Sequence, residues 1–343
     1  MLKIKNFLIA CLFLFPQYFF AQYTDVINSN RPGETMSAFS VGKSVIQAEA
    51  GLYGINEKHD TQNYEASGFG TDFTLRWGLF VEQLEFIADV QYQNEKFITP
   101  ATSFKKSNLK QTYLGAKYLI YDPFKNYKGD VNIYSYNANK KFRWRQLIPA
   151  VSIFGGANFV LKDNPYAYNS NTLNYYSTKS GVSPKIMLIT QNHFGSKWVL
   201  VSNIIADYIG TGNSGYGYIL TLTRGFNSKW SGFVENQGYK SDLYSDAIFR
   251  GGAAYLLSRN MQIDASISKN LKNTPSLLYG GIGFSIRYDD NHKEELTRVG
   301  KVKKTKKKKN KDKITKEELE EQDRIKEEED YQEKERLRKA KYE

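Results

Sequence analysis

Phe69, Thr71, Phe73, Leu75 and Trp77 alternate with Gly70, Asp72, Thr74 and Arg76. Past a turn at Gly78 the pattern resumes as Leu84, Phe86, Ala88, Val90 and Tyr92 against Glu85, Asp89, Gln91 and Gln93. A period of two means extended backbone with unlike faces. Held over about ten residues, it matches the length a tilted strand needs to cross a bilayer. The same rhythm predicts strands over residues 45–55, 110–121, 147–159, 181–191, 198–208, 216–223, 230–238, 247–256, 261–269 and 279–288, about twelve in all. Beyond the N-terminus, no stretch supplies the roughly 20 apolar residues of a spanning helix.

Period two does not say which face is wet, so a soluble β-sandwich fits the alternation too. Three features favour a membrane barrel: the even strand length, the connection lengths, and the 25 Tyr and 21 Phe, many at strand ends where barrels carry aromatic girdles. With the N-terminus in the periplasm, the connections at Gly78, 193–197, 224–229 and 258–260 face the periplasm and are short. Those at 56–67, 94–109, 161–180, 239–246 and 270–278 face outward, are longer, and are rich in Asn, Ser, Thr and Tyr. Residues 122–146 are the long periplasmic exception, with a 131–136 alternation that reads as an extra hairpin or a partial cover for the mouth. The expected fold is therefore all-β, a transmembrane antiparallel β-barrel of about twelve strands over residues 44–288, in the outer membrane.

Lys3 and Lys5 precede an apolar run that ends near Ala21, which reads as a secretory signal peptide over residues 1–21. Residues 22–43 then form a periplasmic N-terminal segment. The single cysteine, Cys11, leaves with the signal, so the mature chain has neither a disulfide nor a thiol-based metal site.

Residues 29–51 carry a second pattern: Arg31-Pro32, Glu34-Thr35, the spaced Ser37, Phe39 and Val41, and then Gln47, Glu49 and Gly51 opening the first strand. This resembles the N-terminal signature of the MetA-pathway of phenol degradation family, transporter-like outer-membrane barrels of Gram-negative bacteria. Gly115 to Pro123, closing on Asp122-Pro123, is similar to the family's strand that ends in Asp-Pro. Gly33 departs from the pattern, which usually has Asp or Gln there. The resemblance implies a barrel that passes a small aromatic or hydrophobic compound.

The polar strand faces give a candidate lumen lining: Glu49, Asp72, Arg76, Glu85, Asp89, Lys117, Lys185, Asn203, Asp207, Glu235, Arg250, Asp264 and Arg287. In a dry core such charges are costly unless paired. In a barrel they can pair around a narrow aqueous path, or simply plug and stiffen it. Catalytic chemistry is sparse. His59, His193 and His292 fall in an outer loop, a periplasmic turn and the tail, so no catalytic, cofactor or metal site is expected. Asn192-His193 with Ser196, and His59-Asp60, read as turn residues. The glycine-rich stretch 210–217 has no following helix to bind phosphate and reads as an external hairpin. These features point to passive passage of a small solute rather than an enzyme. A non-conducting structural or interaction barrel of the PorP/SprF type is the competing reading.

After Tyr288 the composition changes. Residues 301–313 hold nine lysines against one aspartate, a block kept open by self-repulsion. Beyond Ile314, Glu320/Arg324, Asp330/Lys334 and Glu335/Lys339 have the i,i+4 spacing of a solvated helix. Behind a signal peptide the accessible partner of the basic block is peptidoglycan or a periplasmic protein, not nucleic acid. Residues 289–343 are thus expected to be a periplasmic tail.

Overall fold

The structure is a computed structural model that describes residues 27–123, 144–161, 181–195, 197–210, 214–241 and 244–289. The predicted signal peptide, the 131–136 alternation, His292 and the charged tail lie outside the described residues.

Twelve strands follow one another: β1 (Val45–His59), β2 (Tyr64–Gly78), β3 (Leu84–Ile98), β4 (Ser103–Tyr121), β5 (Ala150–Val160), β6 (Gly181–Phe194), β7 (Trp198–Asp207), β8 (Gly215–Gly225), β9 (Trp230–Ser241), β10 (Ser245–Ser258), β11 (Met261–Asn270) and β12 (Ser276–Asp289). Each pairs antiparallel with its chain neighbours, and β12 pairs with β1 from Val45↔Asp289 to Lys58↔Ser276 to close the barrel. Closure leaves no sheet edge, the requirement for β-structure in lipid. An even strand number returns the chain to where it began, so β1 starts and β12 ends at one rim, called here the near end.

Alternation decides which face meets what. Ile46, Ala48, Ala50 and Leu52 of β1 point outward, while Val45, Gln47, Glu49 and Gly51 point inward and are buried. Apolar side chains such as Ile204, Ile267 and Ile282 are about 60% exposed on the outer wall, which suits lipid and not water. All four tryptophans, Trp77, Trp144, Trp198 and Trp230, are exposed at the near rim, the level of a membrane-interface girdle. Arg224 lies 4.9 Å from the Trp198 ring there.

The strands outrun the sequence expectation at the far end. Residues 56–67 and 94–109, expected as long outer loops, are mostly strand, with turns only between His59 and Tyr64 and between Ile98 and Ser103. Past Gly54 the outward residues, Asn56 and Lys58, are as polar as the inward Glu57 and His59, so hydropathic contrast vanishes while the backbone ladder runs on. Lys58 and Glu65 pair at 3.2 Å on that exposed outer face.

A β-bulge explains the late start predicted for β4. Gln91 pairs with Gln111 and Tyr92 with Leu109, so Lys110 is the extra residue and both Lys110 and Gln111 turn inward. The shift reverses the in/out phase at Lys110, so alternation on one side of it does not continue on the other.

Candidate functional site

The barrel does not enclose an open tube. Residues 27–43, part of the stretch 22–43 expected to be a periplasmic N-terminal segment, lie within it. Ile27 donates its N–H to the Arg259 carbonyl at the near end (2.8 Å), and Ser44 donates to the Gly78 carbonyl at the same end (2.9 Å). Between these points the chain rises to mid-barrel and returns. Sixteen or so residues without regular structure leave backbone groups needing partners, and the inward side chains supply them.

The rising arm meets β1 and β2. Ser29 Oγ donates to Glu49 Oε2 (2.9 Å), and the Asn30 and Arg31 amides donate to the same carboxylate (3.3 Å each). Gln47 and Arg76 both donate to the Asn28 carbonyl, at 3.2 and 2.7 Å.

At the apex the Arg31 guanidinium lies between Asp72 on β2 and Asp264 on β11. The Glu34 amide donates to Glu235 (3.0 Å), and the Glu34 carboxylate faces Arg250 at 3.4 Å. Arg250 also holds Glu235 at 2.9 Å. Thr35 Oγ1 donates to Thr221 Oγ1 (3.0 Å).

Descending, the segment is read almost as a strand would be. The Asn203 side-chain amide accepts from the Met36 N–H (2.6 Å) and donates to the Met36 carbonyl (2.9 Å), replacing a backbone partner on both sides. Gln191 accepts from Ser37 Oγ and the Ala38 amide, and Ser152 Oγ donates to the Ala38 carbonyl (2.6 Å). Lys117 donates to the Ser37 and Phe39 carbonyls (2.8 and 3.0 Å). Glu85 accepts from the Val41 amide (2.9 Å), and Arg287 donates to the Val41 carbonyl (3.1 Å).

Apolar packing completes the fit. Met36, Ala38 and Phe39 join Ile87, Leu119, Phe154, Met187, Ile189, Ile205 and Ile219 in one buried cluster, so the wall from β3 to β8 is dry where the segment leans on it. The predicted aqueous lining did not include these inward aliphatics.

All twelve charged residues singled out from the sequence sit on the inner face. Nine of them touch the segment: Glu49, Asp72, Arg76, Glu85, Lys117, Glu235, Arg250, Asp264 and Arg287. Lys185 and Asp207 instead pair with each other at 3.2 Å, and Asp89 accepts from Thr74 at 2.8 Å. Of the N-terminal pattern, Arg31, Glu34, Thr35, Ser37 and Phe39 belong to the inserted segment. Gln47 and Glu49 belong to the wall that grips it, while Gly51 lies beneath Arg31 and Pro32 lines the near cavity.

Among the described residues, two spaces flank the segment within the lumen. A cavity of about 620 Å³ on the near side is bordered by Ser29, Phe39, His193, Val201, Thr223 and Phe233; a smaller one of about 60 Å³ on the other side is bordered by Glu34, Asp72, Asp89, Gln111 and Lys185. Asn30, Arg31 and Gly33 line both, while Thr35 and Ser37 face the first and Glu34 and Met36 the second. His193 lies at the near end beside Gln191 (2.9 Å), whereas His59 accepts from the Gln62 amide at the far end, so the two do not converge.

The family described as "Putative MetA-pathway of phenol degradation" matches residues 29–288. No curated protein matches the chain. Among solved structures, the COG4313 outer membrane channel from Pseudomonas putida F1 aligns with a TM-score of 0.45 and 9% identity, over 76% of this chain and 100% of that one. The KdgM porin aligns at 0.39 and 10%, over 70% and 99%. The CymD monoaromatic hydrocarbon channel aligns at 0.38 and 10%, over 73% and 90%.

Proposed function

Given that the chain belongs to the MetA-pathway of phenol degradation family, we propose that it is an outer-membrane channel for passive passage of a small solute, held shut in this structure by residues 27–43. One observation carries this reading: the inserted segment runs between two cavities, with Asn30, Arg31 and Gly33 bordering both, so moving the segment aside joins them. The near end is then periplasmic, and β1–β4 project outward past the lipid. The near cavity combines Phe39, Phe233 and Val201 with Ser29, Thr223 and Gln191, and among the described residues Arg31 is its only charged border. It therefore suits an uncharged ring-bearing solute with one or two hydrogen-bonding groups.

Planar-bilayer recordings and liposome swelling test this. The purified barrel is expected to show discrete openings and to admit small neutral aromatics faster than sugars of the same mass. A heat-modifiable, correctly folded barrel that is electrically silent, does not swell liposomes and co-purifies with envelope proteins would overturn it. The filled lumen is the feature that favours that second reading, a structural or interaction barrel.

The tail has a separate expectation. Nine ammonium groups over residues 301–313, placed in the periplasm, meet peptidoglycan carboxylates through contacts that salt screens over about 10 Å at 0.1 M. The intact chain should sediment with peptidoglycan several-fold better than a chain ending at Asp290 at low salt, and no better at high salt. Equal sedimentation at low salt removes the tail from this role.

A further inference from the structure

The apex of the segment rests in a recess whose parts come from four strands at one height. Gly51 on β1 pairs with Gly283 on β12, Gly51 also pairs with Asp72 on β2, and Gly283 pairs with Asp264 on β11. Read across the wall, the row is Asp72, Gly51, Gly283, Asp264. The Arg31 guanidinium lies across the two glycines, and a Cβ at either position would overlap it. At Gly51 and Gly283 the atoms nearest such a Cβ all belong to Arg31, so the missing side chains make room for this one group. The result is a flat floor with a carboxylate at each end, complementary to a planar cation that donates from its edges.

Arg31 fills the recess incompletely. It pairs with Asp72, but reaches Asp264 through one bond of 3.4 Å. Asp264 Oδ2 and Arg31 Nε are both buried without a hydrogen-bond partner. The tether explains the mismatch, since the Arg31 backbone is fixed on both sides, its amide on Glu49 and its carbonyl by Gln262 of β11 (3.1 Å), and the guanidinium takes the position this leaves it. A free guanidinium has no such tether and can pair two-on-two with Asp264.

We propose that the Asp72, Gly51, Gly283, Asp264 row is a guanidinium-selective site, occupied by Arg31 in the closed barrel and open to guanidinium-bearing solutes when the segment withdraws. Such a solute holds the segment out by taking the place of its Arg31. The site itself stands on wall geometry; its access through the lumen rests on the channel reading above. A compact ammonium lacks the planar edge and gains only the charge.

Equilibrium dialysis of radiolabelled guanidinium against the detergent-solubilised Arg31→Ala barrel, with methylammonium at equal ionic strength as control, tests the site without any conductance. Millimolar concentrations keep the probe far from denaturing conditions. The expected result is one guanidinium per barrel with at least tenfold preference over methylammonium, lost in Arg31→Ala/Asp264→Asn and in Arg31→Ala/Gly283→Ala. Equal uptake of the two cations, or equal uptake with and without Asp264, would overturn it. Arg31→Gln carries the same comparison should the alanine variant fail to fold. A barrel that binds guanidinium yet never conducts would sink the channel reading and leave the site standing.

Discussion

A disulfide between cysteines placed at Thr35 and Thr221 is expected to silence the channel, and reduction to restore it. The two hydroxyls are 3.0 Å apart and buried, one on the inserted segment and one on β8, so thiols at these positions fall within bonding reach. The only native cysteine, Cys11, precedes the barrel, so the engineered pair has no competitor within it. Each hydrogen bond holding the segment contributes about 0.5–1.5 kcal/mol, those to charged groups somewhat more. On the channel reading, their sum favours the closed form and leaves openings as a minor population. A covalent link removes that population and should cut open probability at least tenfold. Deleting the segment asks the same question less cleanly, because it bares Phe154, Ile189 and Ile205 to water and leaves Arg76 and Lys117 without part of their partners. Oxidised and reduced barrels with the same single-channel record would show that the segment does not gate.

The outer wall was legible from sequence because lipid imposes a simple rule on it. Ile46, Ala48, Ala50 and Leu52 must be apolar whatever lies inside, and their period survives every internal detail. The inner wall answers to a partner that alternation cannot reveal. Glu49, Asp72 and Glu85 are polar in a water-filled tube and equally polar when gripping a peptide, so they marked the inner face without naming its contents. A signal did exist in the aliphatics: Ile186, Met187, Leu188 and Ile189, like Ile204 and Ile205, are apolar on both faces of their strands. A water-lined barrel has no use for Met187, Ile189 and Ile205, and their presence pointed to something apolar inside. Phe39 and Met36, set among Ser and Thr in an otherwise polar stretch, were the matching half. Far-end strand length was illegible for the opposite reason, since both faces of β1 are polar beyond Ile55 and only the backbone ladder distinguishes strand from loop.

Replacing Glu85 with alanine is expected to have the largest effect on stability of any single change on the inner wall. Its carboxylate accepts from Arg76 Nε (2.7 Å) and Nη2 (3.2 Å), faces Lys117 Nζ at 3.3 Å and accepts from the Val41 amide, and all three side chains are 0% exposed. Removing it leaves two buried cations and one buried N–H around a void. Breaking a buried pair in this way costs about 3–5 kcal/mol, far more than the pair contributes relative to apolar replacements. The urea midpoint of the folded, heat-modifiable band should fall accordingly. Replacing all three partners together, as Arg76→Met/Glu85→Leu/Lys117→Met, should recover part of the loss but not all of it, since Glu49, 1% exposed, then loses the Arg76 guanidinium that it faces at 3.3 Å. A second readout separates this site from ordinary core damage. Glu85 also fixes Val41, so Glu85→Gln, which keeps the size and loses the charge, should raise open probability as well as lower the midpoint. Asp207→Asn strands Lys185, which has no bond to the segment, and should lower the midpoint without changing gating. Equal gating changes in the two variants would mean that the segment responds to general loosening of the barrel, and the specific hold of Glu85 on Val41 would have to be abandoned.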